Sequence, residues 1–282
     1  MLAAADPFID RAPRDVAQWA ARFDPAALPI LASTAADIED LRTVEDEVDA
    51  HLLADAMADD PLMTLKLLAH VSRLRRGREG GDPETATAAL VMLGIPPFFR
   101  AFGPQPTVED RLAGEPEALE RFQRVLRRSH RAARFALGFA AHRMDHDAAV
   151  IHEAALLHDF AELLLWLEAP TLALAIAHRQ EARPGLRSAA VQREVLNVTL
   201  GELQHELMAH WRLPALLVQI VDDTAMHETL QMRNVRLAIR LARHTTRGWD
   251  DPALPDDLHD IGMLLQLAPP HVLRLAQQID AE

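Results

Sequence analysis

The chain has 282 residues, 49% of them apolar and 25% charged, which is ordinary globular composition and enough length to bury a core. A net charge of −13 repels phosphate backbones and argues against nucleic acid as a partner. There is no cysteine, which excludes disulfides, thiolate metal sites and cysteine nucleophiles and fits a reducing compartment. Aromatic residues make up only 5%, with no tyrosine, while leucine and alanine abound, so helix is favoured over sheet. The N-terminus has no basic stretch ahead of Asp6 and Pro7 and does not read as a signal peptide. No uninterrupted apolar run reaches the length of a spanning helix. The expectation is a cytoplasmic protein without a membrane attachment.

In chain order, residues 13–23 read as a short amphipathic helix, with Pro13 in its first turn and Val16, Trp19, Ala20 and Phe23 on one stripe. Residues 26–32, carrying Pro29, read as a linker. Residues 44–58 read as a helix with Val48, Leu52, Leu53 and Ala56 inward. Asp59-Asp60-Pro61 ends it. Asp60 is a good N-cap and Pro61 a good first residue for the next helix, whose apolar face carries Leu62, Leu65, Leu68 and Ala69. Residues 73–81 form a glycine-rich basic loop with Arg73, Arg75, Arg76 and Arg78, for which solubility is the plain reading. Asp82-Pro83 repeats the start signal, Gly94 ends that helix, and Pro96-Pro97 forbids its direct continuation. Phe98, Phe99 and Phe102 follow and read as packing between lobes. Residues 103–114, rich in proline and glycine, read as a hinge.

Residues 115–142 are the longest helical pattern. Glu115, Glu117 and Glu120 suit its first turns, and Leu119, Phe122, Leu126, Ala133, Leu137 and Ala140 make the inner stripe. Arg121, Arg124, Arg127, Arg128, Arg131 and Arg134 lie mostly on its outer face, read as a solvated face paired with nearby glutamates. His142 and His146 mark an exposed helix end beside Asp145, which caps the next helix. That helix leads into residues 153–166, EAALLHDFAELLLW, read as one apolar helical run with adjacent His158-Asp159 at its middle. Ala154, Leu157, Ala161, Leu164 and Leu165 define its buried face. A titratable pair drawn toward a core must be satisfied by partners or must hold something.

Further helices run from Pro170 to about 178 and from Ser188. Another begins at Thr199, which has capping-box spacing with Glu202, and runs through Trp211. Others run from Pro214 to about 223 and over 232–244 and 270–279. His205 and His210, five apart, do not share a face. There is no convincing strand, no fixed-period repeat, no phosphate-binding glycine loop and no Gly-x-Ser-x-Gly motif.

Four segments together resemble one family, the HDOD domains, bacterial regulatory relatives of the HD phosphohydrolase superfamily. They are DPLMTLKLLAHVSRL (60–74), TATAALVMLGIPPFFRAF (85–102), EAALLHDFAELLLW (153–166) and ELQHELMAHWRLPALLVQIV (202–221). The combination of an Asp-Pro helix start, a Leu-Gly-Ile helix end, a His-Asp helix and a Trp-x-Leu-Pro turn spans roughly residues 26–225. The resemblance implies an all-α fold, a two-lobed multi-helix bundle with an HD-like C-terminal lobe, and a role in signalling. It divides the chain into an N-terminal extension (1–25), a domain over 26–225 with lobes at 26–108 and 115–225, and a helical tail (226–282) packed on the second lobe.

The parent superfamily binds a divalent metal through a His, a His-Asp pair and a distant Asp, and activates water against phosphoesters. By the same resemblance His158 and Asp159 are retained. The first histidine falls at Arg128, with His130 nearby, and another position becomes Leu200. Two histidines after the Trp-x-Leu-Pro turn become Asp222 and Asp223, and the final aspartate becomes Arg243. A guanidinium cannot coordinate a cation. The expectation is therefore no catalytic residue, no cofactor and a degenerate metal site. His158-Asp159 would then be a polar staple bonded to backbone or to Arg128 and Arg243, in a non-catalytic regulatory module that binds a signalling protein or a small nucleotide-like ligand. The sequence leaves oligomerisation open. The alternative is a metal-dependent phosphohydrolase or phosphodiesterase holding Mg, Mn or Fe on His158, Asp159, Asp222 and Asp223, with His130 completing the shell. A third reading makes Arg128 and Arg243 an anion-binding pair without chemistry.

Overall fold

The structure is a computed structural model, and it describes residues 7–76, 81–183, 185–221 and 228–281. Every regular element among the described residues is helical, as the composition requires. A single isolated bridge joins Ile30 and Thr107. The chain gathers into two compact units, each discontinuous in sequence. One holds Met1–Arg124 with Phe160–Leu213, the other Val125–Asp159 with Pro214–Glu282.

The first unit opens with α1 (Val16–Ala20), α2 (Ala32–Arg42) and α3 (Ala50–Ala56). α1 is shorter than the stripe predicts, because Asp15 caps it by accepting from the Gln18 amide. α2 has little amphipathic pattern, burying only Thr34 and Ile38, and for that reason periodicity does not find it. α4 (Pro61–Leu74) starts where expected, with Asp60 Oδ1 accepting from the amides of Leu62 and Met63. It is buried nearly all round, from Pro61 to Ser72 with only His70 less covered, so it is the core helix of this unit.

α5 (Ala86–Leu93) starts later than Asp82-Pro83 suggests, because Thr85 supplies the cap and accepts from the Ala88 amide. It ends at Gly94, whose φ of +85° disfavours any residue with a Cβ. α6 (Ile95–Ala101) begins at once. Pro96 and Pro97 occupy its first turn, where a missing N–H costs nothing, so they start a helix as well as ending one. Phe98, Phe99 and Phe102 are buried, and Phe98 packs its ring on the other two. The expected linker and hinge pair with each other: the Ile30 amide donates to Pro106 O and the Val108 amide to Ile30 O, just ahead of α7 (Val108–Arg111).

α8 (Pro116–Arg143) is the long helix, and its residues divide between the units after Arg124. Its buried stripe runs Phe122, Val125, Ser129, Ala132, Ala136, Phe139, at steps of three and four. Leu137, expected inward, lies one residue off that stripe and is exposed. α9 (Ala148–Leu157) and α10 (Phe160–Glu168) replace the single helix expected over 153–166, and the break falls on His158-Asp159. Adjacent residues of a continuous helix do not face each other, whereas the turn lets both side chains meet.

α11 (Pro170–Ala182) runs a turn beyond expectation. α12 (Ser188–Leu196) ends at Asn197 in the left-handed region. α13 (Leu200–Trp211) carries the predicted capping box, with Thr199 Oγ1 accepting from the Glu202 amide and Glu202 Oε2 from the Thr199 amide. α13 and α5 both pack with α4's surroundings, and Trp19 Nε1 ties α1 to Leu196 O.

In the second unit α14 (Ala215–Val221), α15 (Leu230–His244), α16 (Leu254–Leu265) and α17 (Pro269–Ala281) join α9 and the second half of α8. Its core includes Phe135, Phe139, Ile151, Val235, Leu241 and Ile261. α16 forms where no helix is expected from the sequence. A Cβ at its Gly262 would sit 2.5 Å from Leu267 O, so the close turn into α17 requires glycine. Among the described residues no single helix is long and apolar enough to cross a membrane.

Candidate functional site

The second unit holds a buried ion cluster centred on Asp159. The turn after α9 points its carboxylate at α8 and α15. Arg128 on α8 donates from Nε to Oδ2 at 2.8 Å, and its Nη2 lies 2.7 Å from the same oxygen. Arg243 on α15 donates from Nη2 to Oδ1 at 2.7 Å. His158 Nδ1 stands 2.9 Å from Oδ1. An ionised carboxylate only accepts, so Nδ1 carries the hydrogen in that bond. Burial alone would push the Asp159 carboxyl up. The His158 hydrogen bond and the charges of Arg128, His158 and Arg243 outweigh it and hold the group well below the ordinary carboxylate range.

The donor chemistry of this cluster does not fit a cation. Both carboxylate oxygens already face guanidinium groups, whose fixed positive charges oppose a cation on the same oxygens. Among the described residues no three His, Asp or Glu side chains gather closely enough to hold a metal ion, so His130, His158 and Asp159 form no ligand set among themselves. Asp222 and Asp223 lie outside the described residues. Leu200, at the first turn of α13, belongs to the other unit. What the arrangement can do chemically is hold α8, α9 and α15 together through one charge.

Three further arginines of α8 are also engaged. Arg121 bonds Glu181 and Glu117, Arg124 bonds Glu120, and Arg131 forks onto both Asp280 oxygens at 2.7 and 2.8 Å while donating to Thr245 O. Several of these partners are distant in sequence, so the face does more than pair with local glutamates. His142, His146, His205 and His210 are exposed.

Of three further buried charges, the sequence pattern marks Asp60 only as a helix cap and gives no role to Asp257 or Lys66. Asp257 accepts from His244 Nδ1 at 2.6 Å in the second unit. In the first unit Asp60 accepts from the Leu31 amide as well as capping α4. Lys66, on α4, donates to Leu28 O at 2.6 Å and Gln105 Oε1 at 2.5 Å, and is 2% exposed. The signal for Lys66 was available: it is the only lysine in the chain, in the middle of an apolar helix.

The architecture defines an all-α domain with a His-Asp pair at a helix break. The chain belongs to the HDOD domain family, whose profile matches residues 28–228. No curated protein matches the sequence significantly. Among solved structures, a response regulator of Methylococcus capsulatus, MmoQ, is 21% identical with a TM-score of 0.66, over 89% of this chain and 98% of that one. A virulence factor of Campylobacter jejuni is 16% identical with a TM-score of 0.61, over 89% and 96%. An HDOD domain protein of unknown function from Geobacter sulfurreducens is 13% identical with a TM-score of 0.50, over 94% and 96%. These likenesses show a shared fold.

Proposed function

We propose that this chain is a non-catalytic regulatory module of signal transduction that acts by binding another molecule. The observation that carries the reading is the engagement of Asp159 by Arg128, Arg243 and His158, which turns the superfamily's metal-binding pair into a structural staple. Membership of the HDOD family and the likeness to a protein described as a response regulator support the regulatory role. A signalling protein is the favoured partner. The test is His158→Ala with elemental analysis of untagged protein purified without chelator. The expected result is no stoichiometric divalent metal and a variant that loses thermal stability. Near-stoichiometric manganese, iron or magnesium, with metal-dependent phosphoester hydrolysis lost in a stably folded His158→Ala, would establish the phosphohydrolase instead.

A further inference from the structure

The first unit contains a cavity of about 150 Å³ that the cluster around Asp159 does not explain. One side is a basic stripe of α4: Lys66, His70 and Arg73 follow at steps of four and three and so share a face. Ala69, Phe102 and Gln105 line much of the rest, and no carboxylate is among the described residues that line it. The floor is built rather than incidental. Gln105 Nε2 donates to Gly103 O at 2.6 Å, which turns its Oε1 toward the Lys66 ammonium. The His70 ring stands edge-on to Phe102 with centroids 5.1 Å apart, and Arg73 Nη2 lies 3.4 Å from His70 Nδ1.

We propose that this cavity binds a compact carboxylate with a flat apolar body, its charge set against Arg73, His70 and Lys66 and its body against Phe102 and Ala69. The planar guanidinium matches a carboxylate in fork geometry, and the apolar wall accepts what inorganic anions lack. The size agrees: a cavity of about 150 Å³ holds benzene, so the ligand has on the order of six to ten non-hydrogen atoms. The electrostatics favour an anion. Burial, and then the Arg73 charge, push the His70 imidazole below its ordinary value. Burial lowers Lys66 to about 8 against the opposing pull of Asp60 and Asp24. An anion in the cavity relieves both groups and draws a proton onto His70. This site is separate from the Asp159 cluster, so the proposal stands or falls independently of the regulatory reading.

The probe is benzoate, with inorganic phosphate beside it, on the full chain. Three readouts are used: calorimetric titration at pH 6.5 and 8.5, the His70 NMR titration, and acetylation of Lys66 by mass spectrometry. Lys66 is the only lysine, so the α-amine is the sole other amine to be acetylated. The expected results are saturable benzoate binding that is tighter at pH 6.5, protection of Lys66, and a His70 midpoint raised by about one unit. Phosphate is expected to bind at least tenfold more weakly than benzoate. Arg73→Gln, an exposed change that keeps the melting temperature, is expected to weaken benzoate at least tenfold, whether or not Lys66→Met folds. Absence of saturable benzoate binding up to about 50 mM would overturn the proposal, as would binding that Arg73→Gln and His70→Gln leave unchanged.

Discussion

The two units bury a carboxylate in opposite ways. In the second unit Asp159 is met by full charges, from Arg128, Arg243 and the adjacent His158 hydrogen bond, and its carboxyl is held well below the ordinary range. In the first unit Asp60 is fully buried and met mainly by dipoles: the amides of Leu31, Leu62 and Met63 and the side chain of Thr34. Burial wins there and the carboxyl is raised. Neutral backbone donors satisfy the oxygens of a buried acid without cancelling its desolvation, whereas the His158 hydrogen bond together with two guanidinium groups does cancel it. The two aspartates therefore carry opposite pH signatures. Asp159, with its pKa depressed, contributes stability that is present above the unfolded value near 3.8 and lost as pH falls below it. Asp60, with its pKa raised, binds a proton in the folded state before the unfolded one. Its contribution to stability falls as pH climbs from 3.8 through the raised value.

The sharpest way to break the comparison is Asp159→Ala. It strands two arginines beside each other and is expected to cost roughly 3–5 kcal/mol in denaturant unfolding, toward the lower end because Arg243 is half exposed. A loss under about 1 kcal/mol would mean the cluster is not a staple. Next is Lys66. Its pKa falls from 10.5 to about 8 on folding, so the unfolded chain holds the proton longer and wild-type stability should rise between pH 8 and 10.5. The ceiling is about 3 kcal/mol, from 1.36 kcal/mol per unit. With no tyrosine, no cysteine and no second lysine, no other side chain ordinarily titrates in most of that window. A flat profile in Lys66→Met beside a rising wild type is the expected pattern, and identical profiles would show that burial does not lower the Lys66 pKa.

Asp60→Ala should cost about 2 kcal/mol, for a lost cap and an unpaired Leu31 amide, with Asp60→Asn recovering about half through the cap alone. A loss in Asp60→Ala as large as that of Asp159→Ala would erase the distinction between dipoles and charges. The smallest effect is expected at Arg124→Ala, where the pair with Glu120 is open to water on both sides, at about 0.3 kcal/mol.

Much of the fold was written locally. Asp60-Pro61, Thr199 with Glu202, the glycine at 94 and the long pattern from 115 to about 142 are signals legible within a few residues, and each marks an element that forms there. Signals of that kind fail where packing decides. α2 has no stripe to read, whereas α16 does carry a buried face at helical spacing. Residues 153–166 have the composition of one helix and form two. The site divides the same way. Alignment of the motif placed Arg128 and Arg243 among the superfamily's ligand positions, but no local rule says that guanidinium groups 115 residues apart close on the same carboxylate.

The sequence by itself determined an all-helical chain, most helix starts, and the presence of a His-Asp pair in apolar surroundings, because caps, prolines and periodicity act over one or two turns. The tertiary structure alone decided that the chain assembles into units discontinuous in sequence, that residues 26–32 and 103–114 pair with each other, and what each buried charge meets. Those outcomes depend on contacts between distant segments, and a buried charge takes its state from whichever groups the fold brings within reach.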